Sequence, residues 1–480
     1  AILAQVGEIV VSRSFTSFGP SRGVTSRQMD VEKQLEAPLL RRRVKRQPLG
    51  PLYSTLFIRN SAYSIAMMPA FNLRINEYTS AAGFSMAEAA AVFGTITAAR
   101  HLAEFIAAPI HAAMSDRIGR KSMILFGSAA FAVEAAIMAA APSLHILAAA
   151  HVAGGLLSSG GAVESSCIAD ATSPGTERSV ALGRRFVVTG ASIVIGPAIG
   201  GLLAEHFGGA TPFLCGHVLG LIALAFTACC MPEYLPKDRR AAPTRANSGL
   251  RGLNLLGPFL EILQTSTELM WYCAAMVMSG LAFAAFSSVN TLWLQASFGW
   301  GAVELGHFTS MVGLAIMASQ AVVLPRLLAA AQGSEGLVLQ GCLLVSMTKL
   351  LTYSIVPRGS LIYVALFVTM PSYCSSTLLS GVCTHHVPEA QQGLWAGGTS
   401  AVNTAANIVG SLIGSHFLAA SLHHGNSTGW HLVFGAACYL LAAFCARQAG
   451  QAGKKAKGSL GLLDSAFLRC SVGRCAGKGS

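Results

Sequence analysis

Ionisable side chains lie inside several long apolar stretches of this sequence, where a charge is costly and is usually kept for function. Glu104 and Glu164 are candidate proton carriers, because a carboxylate removed from water can take up a proton near neutral pH. His151 titrates in a similar range and can join a proton relay. The cations can neutralise an anionic solute or balance these glutamates. The candidate proton- and solute-binding residues are Arg59, Asn60, Arg100, Glu104, His151, Glu164 and Lys349.

Two of these residues are close in sequence. Arg100 and Glu104 are four residues apart, so on a helix they share one face. They can form a self-satisfied pair within the helix, or both can face a functional cavity. Glu134 is interpreted as a structural residue that faces neighbouring helices.

Charged clusters interrupt the apolar sequence at 111–127 (HAAMSDRIGRKSMILFG) and at 168–183 (IADATSPGTERSVALG). Gly119 permits a tight turn inside the first cluster. Arg117, Arg120 and Lys121 are plausible partners for carboxylates on neighbouring helix ends, and Asp116 can accept such bonds. The alternative is a plain basic loop. The candidate residues of the two clusters are Asp116, Arg117, Gly119, Arg120, Lys121, Asp170, Glu177 and Arg178.

A run of small residues, GASIVIGPAIGG, occupies positions 190–201. Its proline removes a backbone donor and bends a helix, and its glycines leave a groove for another helix. A nucleotide-binding glycine loop is excluded, because no strand precedes the run and its surroundings are apolar. A packing role alone remains open. The residues concerned are Gly190, Gly196, Pro197, Gly200 and Gly201.

The elements that must position these residues are membrane helices. The chain has 480 residues, of which 53% are hydrophobic and 11% charged, and soluble cores cannot bury that much apolar surface. The sequence predicts an all-α protein with twelve transmembrane helices in two six-helix bundles. The predicted spans are 52–73, 86–113, 122–141, 144–169, 179–205, 211–231, 268–294, 303–328, 336–356, 360–382, 394–420 and 429–447.

Basic residues predict the orientation of these spans. The net charge of +12 comes mostly from Lys and Arg in segments that would share one side of the membrane, whereas the opposite loops hold Arg74 and Arg358. Both termini are therefore predicted to be cytosolic, and Asn426 in a glycosylation sequence would face the other side. The predicted segments are a disordered tail at 1–51 (alternatively a transit peptide), bundles at 52–231 and 268–447, a linker at 232–267 and a basic tail at 448–480.

The pattern D-R-x-G-R-K at 116–121 resembles the signature loop of the major facilitator superfamily. The 168–183 stretch resembles the charges that form a network with that loop and latch one conformation. This resemblance implies the pairs Asp116 with Arg178, and Asp170 with Arg117 or Arg120, and partly buried ion pairs suit a latch because attraction and desolvation nearly cancel. G-P-x-x-G-G at 196–201 resembles the antiporter motif of the drug/proton antiporters. Segments 297–313 and 386–414 are similar to tetracycline/proton antiporters and to their hippocampus-abundant-transcript branch. The resemblance implies two six-helix halves around a central cavity, and alternating access.

The sequence departs from this pattern at functional positions. Ala112 stands where the signature loop usually begins with glycine, and Asn60 stands where tetracycline antiporters carry an acid. An arginine common in the fourth helix of relatives is missing, and His151 lies near that place. Because Asn60 cannot take up a proton and Arg59 favours anions, these departures argue against a cationic drug.

The predicted function is secondary active transport of a small organic solute, with proton antiport favoured. The alternatives are a uniporter or symporter of a sugar or organic anion, a non-transporting receptor or scaffold, and, least favoured, an intramembrane enzyme. The expected partners are the solute, protons and lipid, with no nucleic acid, in a monomer. No cofactor or metal is expected, since the twelve cysteines lack metal-ligand spacing.

Overall fold

The computed structural model describes residues 47–158, 160–173, 176–240, 263–264, 266–387, 392–424 and 429–475. Within these ranges the regular structure is helical and contains no strand. Some predicted features lie outside the described residues: positions 1–46 of the N-terminal tail, positions 241–262 of the linker, and Asn426.

Eight α-helices precede the linker in the described part of the chain. Within the described residues they are α1 (Gly50–Met67), α2 (Ala70–Ala81), α3 (Met86–Ile118), α4 (Arg120–Ala140), α5 (Leu144–Leu157), α6 (Gly160–Ala171), α7 (Thr176–Phe207) and α8 (Thr211–Cys230).

The helices after the linker include two with irregular turns at their junctions. They are α9 (Thr267–Phe298), α10 (Ala302–Ala318), α11 (Leu324–Ala330), α12 (Glu335–Ile355), α13 (Gly359–Val368), α14 (Ser375–His385), α15 (Gln392–His423) and α16 (Trp430–Cys475). A π-helical turn, Ser319–Val323, joins α10 to α11, and a 3-10 turn, Met370–Cys374, joins α13 to α14. Helix α16 continues through most of the segment predicted as a basic tail.

In the described part of the chain, eight helices are long and apolar enough to cross a membrane. A ninth is present if the pair Gly359–Val368 and Met370–Cys383, bent by 56°, forms one span. The prediction of an all-helical membrane protein is thus confirmed, whereas the count of twelve spans stays a prediction.

The remaining predicted spans coincide with helices that carry internal charges. The span at 86–113 lies within α3, which holds Arg100 and Glu104. The span at 52–73 is divided between α1 and α2, because Pro69 cannot continue the backbone hydrogen bonding of α1. The span at 144–169 is divided between α5 and α6.

Helix α3 has the surface pattern of a helix in lipid. It begins at a capping box in which the Ser85 N–H donates to Glu88 Oε2 at 2.7 Å and the Glu88 N–H donates to Ser85 Oγ at 3.3 Å. Its large apolar side chains recur every fourth residue and are exposed, whereas Arg100 and His111 are buried. An apolar outer stripe opposite a polar inner face indicates that lipid surrounds the helix. The exposed stripe consists of Leu102, Ile106, Ile110, Met114 and Ile118.

Helix α7 packs closely against two helices through its glycines. A Cβ at Gly200 would lie 2.4 Å from the Ile65 oxygen of α1, and one at Gly201 would lie 2.4 Å from the Ala302 oxygen of α10. The Ala198 N–H donates to Ser310 Oγ at 3.1 Å, which adds a polar bond to the α7–α10 contact. The glycine run is therefore a packing surface on both sides of α7.

Candidate functional site

A cavity of about 210 Å³ lies among α1, α3, α4, α5 and α6. Helices from distant parts of the sequence bring their ionisable side chains to this one space. The cavity is large enough for several water molecules or a small solute. Its polar lining includes Arg59, Asn60, Tyr63, Arg100, Glu104, Glu134 and Glu164.

Arg100 is the centre of the first group of charges at this cavity. Its Nη1 lies 2.5 Å from Glu134 Oε1, and its Nε lies 3.0 Å from Glu104 Oε1. The same Nη1 donates to the His151 carbonyl oxygen at 2.8 Å. The side chains of Arg100 and Glu134 are 6% and 3% exposed, whereas that of Glu104 is 33% exposed. Glu104 is therefore the carboxylate of this group that water reaches most easily.

His151 and His101 complete the Arg100 group. His151 Nδ1 lies 3.1 Å from Glu134 Oε1, and the imidazole ring packs 4.0 Å from Phe71, centroid to centroid. His101 Nδ1 lies 3.4 Å from Glu104 Oε2. Arg100 and Glu104 do form a pair within α3, but Arg100 also binds across to α4 and α5.

Glu164 is the centre of the second group. Its carboxylate forms ion pairs with Arg59 of α1 and with Arg185 of α7, the latter at 2.8 Å. The Glu164 side chain is 5% exposed. Beside this group, Asn60 Nδ2 donates to Thr189 Oγ1 at 3.1 Å. One almost fully buried carboxylate thus pairs with two half-buried cations.

The two groups have complementary charges when all their acids and bases are ionised. The Arg100 group has one arginine and two glutamates, and the Glu164 group has two arginines and one glutamate. The cavity between them therefore has an acidic side and a basic side. A proton or a charged solute that enters would compete with these side chains for their partners.

Lys349 lies apart from this cavity, in α12. Its side chain is buried, and its Nζ lies 4.3 Å from the centroid of the Tyr373 ring. Within the described residues it has no ion pair, and it is not among the residues that line the cavity. Sequence reasoning grouped it with Glu104 and Glu164, but the structure does not bring it to them.

Arg120 is the centre of a third group, at the turn between α3 and α4. Its guanidinium pairs with Asp116 at 2.7 Å and with Asp170 of α6 at 2.8 Å, and it also donates to Ser115 Oγ. The expected Asp170–Arg120 contact is thus present. The expected Asp116–Arg178 contact is replaced by Asp116–Arg120, because four residues across the turn bring those two side chains together.

The other predicted latch residues contact backbone or solvent. Arg178 Nη2 donates to the Ala169 carbonyl oxygen at 3.0 Å and lies 3.3 Å from that of Thr172. Lys121 Nζ donates to the Ala228 carbonyl oxygen at 2.8 Å. Arg117 is exposed and has no ion pair within the described residues, and Glu177 Oε2 accepts from the Ser173 N–H at 3.2 Å.

Glu233 makes a contact that sequence reasoning missed. Its Oε1 accepts from the Arg120 N–H at 2.8 Å and from the Lys121 N–H at 3.4 Å, so it satisfies free amides at the start of α4. The same oxygen accepts from the Leu235 N–H at 3.0 Å. The Tyr234 hydroxyl next to it donates to the Pro48 carbonyl oxygen at 2.9 Å, and burial raises the pKa of this hydroxyl. The start of the linker is thereby attached to α1 and α4.

Gly119 occupies a backbone conformation that favours glycine, with φ of 107°. A Cβ there would lie 2.3 Å from Glu233 Oε2. We expect Gly119→Ala to lower stability by about 1–3 kcal/mol, because it strains the turn and displaces Glu233. Thermal unfolding of the purified protein in detergent measures the effect. Gly341→Ala is the matched control, since nothing lies within 4 Å of its added Cβ; equal melting temperatures for the two variants would contradict this account.

Two further residues of the site make long-range contacts. Glu134 faces neighbouring helices, as the sequence predicts, through Arg100 and His151, and it also lines the cavity. Arg185, which the sequence analysis did not single out, binds Glu164 inside the protein. Its position in the second turn of a long apolar segment was the available signal. Among the described residues, no group of three or more His, Cys, Asp or Glu is arranged to hold a metal ion.

Comparison with known proteins gives a consistent family match. A family model described as "Major Facilitator Superfamily" matches residues 52–415. Over 361 residues the chain is 27% identical to the Tetracycline resistance protein, class C, of Escherichia coli, covering 73% of this chain and 85% of that protein. Over 318 residues it is 27% identical to the human Hippocampus abundant transcript-like protein 1, covering 66% and 62% of the two chains.

Solved structures show the same fold at lower sequence identity. The human organic anion transporter MFSD10 (TETRAN) superposes with a TM-score of 0.61 at 18% identity, covering 83% of this chain and all of that one. A peptide transporter POT in complex with sulfate superposes with a TM-score of 0.64 at 15% identity, covering 85% and 96%.

Proposed function

Because the chain belongs to the major facilitator superfamily, we propose that it moves a small organic solute across a membrane by alternating access, with proton antiport as its mode. The family resemblance found in the sequence is confirmed by the model match and by the tetracycline-resistance and hippocampus-abundant-transcript relatives. The protein is proposed to act as a transporter and not as an enzyme.

The observation that carries this proposal is the set of buried charges at the cavity. Two arginines and three glutamates from four helices line about 210 Å³ of space, and a third arginine, Arg185 of α7, pairs with Glu164. A protein that served only as a scaffold would gain little from these charges, since buried ion pairs contribute weakly to stability. Charges with several alternative partners can instead respond to a proton or a solute.

We propose Glu104 as the proton carrier, in preference to Glu164. Glu104 is the more exposed of the two, and its partner Arg100 keeps Glu134 as a counter-charge when Glu104 is neutralised. Neutralising Glu164 would instead leave Arg59 and Arg185 together without an anion. The protonation of Glu104 therefore costs less, which suits a group that must gain and lose a proton in every transport cycle.

The proposed arrangement in the membrane follows the charge distribution. We propose two six-helix halves at 52–231 and 268–447, with the Arg120 group and both termini on the cytosolic side, in a monomer. The solute remains open among neutral, anionic and zwitterionic molecules. A cationic drug is disfavoured, because Asn60 beside the cavity is uncharged and binds Thr189. Uniport, symport and a non-transporting receptor are the alternatives that the experiment below distinguishes.

We expect Glu104→Gln to abolish accumulation driven by a pH gradient while leaving exchange of solute intact. The test uses proteoliposomes that are acidic inside, with tetracycline, benzoate and a dipeptide as radiolabelled probes. In an antiporter, protons leave these vesicles as solute enters, so the wild type accumulates its solute and the variant only equilibrates it.

Glu88→Gln is the control, because Glu88 lies in the exposed first turn of the same helix and glutamine can keep its capping contact. Equilibration of the solute by the wild type, equal with and without the gradient, would reject proton coupling and leave a uniporter. Depletion of the solute from the acidic vesicles would indicate a symporter, and no movement of the solute a non-transporting receptor. Gradient-driven accumulation by Glu104→Gln would reject Glu104 as the carrier.

A further inference from the structure

We propose that Lys349 and its aromatic neighbours form a binding site for a small monoanion, either a halide ion or a carboxylate group. This Lys349 site consists of Lys349, Tyr353, Trp293, His431 and Tyr373, all in the second half of the chain. The proposal concerns binding and stands whether or not the protein is a proton antiporter.

The first observation is a buried cation without a counter-charge. Lys349 is 6% exposed, and within the described residues its ammonium has no ion pair. Its Nζ lies 4.3 Å from the centroid of the Tyr373 ring and 5.8 Å from that of Phe286. Aromatic faces offset part of the cost of burying a cation, but they do not replace an anion. By contrast, the two buried arginines that the structure describes in the first half, Arg100 and Arg120, each form ion pairs with carboxylates.

The second observation is a set of unused polar atoms in α9, α12 and α16, connected to Lys349 through the Phe286 ring. Trp293 Nε1, Tyr353 Oη and both ring nitrogens of His431 are buried and have no hydrogen-bond partner within the described part of the chain. The three residues are at most 2% exposed. Buried polar groups in folded proteins are nearly always paired, so several unpaired groups together indicate an occupant.

These residues form one connected cluster. The Trp293 ring stacks on the Tyr353 ring at 6.4 Å and lies 6.0 Å from the His431 ring, between centroids. Lys349 and Tyr353 are four residues apart in α12, so they share one face of that helix. Phe286 contacts both residues: its ring lies 6.0 Å from the Tyr353 ring and 5.8 Å from Lys349 Nζ.

The third observation is irregular backbone next to the cluster. Gln320 Nε2, in the π-helical turn, donates to the Tyr373 carbonyl oxygen at 2.9 Å, and Ser319 Oγ donates to the Met370 carbonyl oxygen at 2.8 Å. The π-helical and 3-10 turns are thus bound to each other, and they hold Tyr373 against Lys349. Turns of this kind inside a membrane protein are found where the backbone is buried or lines a cavity, and they are common at functional sites.

The chemistry of the cluster selects the ligand. Lys349, Trp293 and Tyr353 offer an ammonium, an N–H and an O–H, and a neutral His431 offers one more N–H. These donors suit an anion, and the single unpaired positive charge suits a charge of −1. Water alone would satisfy the donors but would leave the ammonium without a counter-charge. A metal cation is excluded by the presence of Lys349.

The test is thermal unfolding of the full-length protein in detergent, in sodium sulfate, sodium chloride or sodium acetate at equal ionic strength. We expect chloride, acetate or both to raise the melting temperature by at least about 2 °C over sulfate. A response to chloride alone identifies a halide site, and a response to acetate alone identifies a site for the carboxylate of an organic solute. No response to either monoanion would overturn the proposal.

Variants test whether the rise in melting temperature with chloride or acetate comes from the Lys349 site. Lys349→Met should remove it, whereas Arg358→Met, which removes an exposed cation at the start of α13, should keep it. Tyr353→Phe, which removes one hydroxyl and preserves the ring, should reduce the response by at least about half and keeps the test open if Lys349→Met does not fold. A full response in both Lys349→Met and Tyr353→Phe would place the anion elsewhere and overturn the proposal.

Discussion

Replacing Glu164 by glutamine is expected to abolish transport and to lower stability by about 3–5 kcal/mol, because two half-buried cations, Arg59 and Arg185, would be left without a counter-charge. Arg185→Gln is expected to be mild by comparison, since the Arg59–Glu164 pair survives it. Glu164→Gln is therefore expected to be less stable than Arg185→Gln, because one carboxylate forms ion pairs with two arginines. Thermal unfolding and solute accumulation in proteoliposomes measure it.

The double variant Glu164→Gln with Arg185→Gln separates charge from packing. If uncompensated charge causes the loss, the double variant recovers part of the stability that Glu164→Gln loses, because one of the two unpaired cations is gone. If the double variant instead loses as much stability as the two single variants together, Glu164 and Arg185 do not interact. Equal stability of Arg185→Gln and Glu164→Gln would contradict the contacts described for this group.

Gly201→Ala is expected to cause the second-largest effect, through the contact between α7 and α10. The added methyl group would lie 2.4 Å from the Ala302 carbonyl oxygen and 3.3 Å from the Gly306 Cα. Backbone atoms cannot rotate away as side chains do, so the helices must separate. We expect a loss of stability of about 1–3 kcal/mol and loss of transport, because this contact connects the two halves of the chain.

Gly183→Ala is the matched control on the same helix, where nothing lies within 4 Å of the added Cβ. It is expected to be neutral or slightly stabilising, since alanine favours a helix over glycine. Both variants are compared by thermal unfolding in detergent and by solute accumulation in proteoliposomes. Wild-type stability and transport in Gly201→Ala would show that α7 and α10 do not need this close approach.

Local patterns in the sequence are enough to predict the membrane helices and several charged positions. Apolar length identifies the helices, and the charges within them mark Arg59, Arg100, Glu104 and Glu164, all of which the structure places at one cavity. The i,i+4 spacing of Arg100 and Glu104 also predicts their contact, because helix geometry alone determines it.

Contacts between distant segments are the part that the sequence does not reveal. Glu134 is 34 residues from Arg100, and Glu233 is 113 residues from Arg120, so no local periodicity links them. The same limit applies to Lys349, because a lysine in an apolar helix could pair with a carboxylate on any of several other helices. The structure shows aromatic rings around its ammonium and no carboxylate partner within the described residues, and this observation is the basis of the proposed anion site.

The most direct test of the account is whether the charged cavity opens to each side of the membrane in turn. A cysteine replaces Asn60, which lines the cavity, in a protein whose native cysteines are replaced, and it is labelled in sealed vesicles with a membrane-impermeant thiol reagent added to one side at a time. Alternating access predicts labelling from both sides in the active protein, and labelling from one side in a Glu164→Gln variant. Labelling from one side alone in the active protein, at every pH and with every solute, would contradict it.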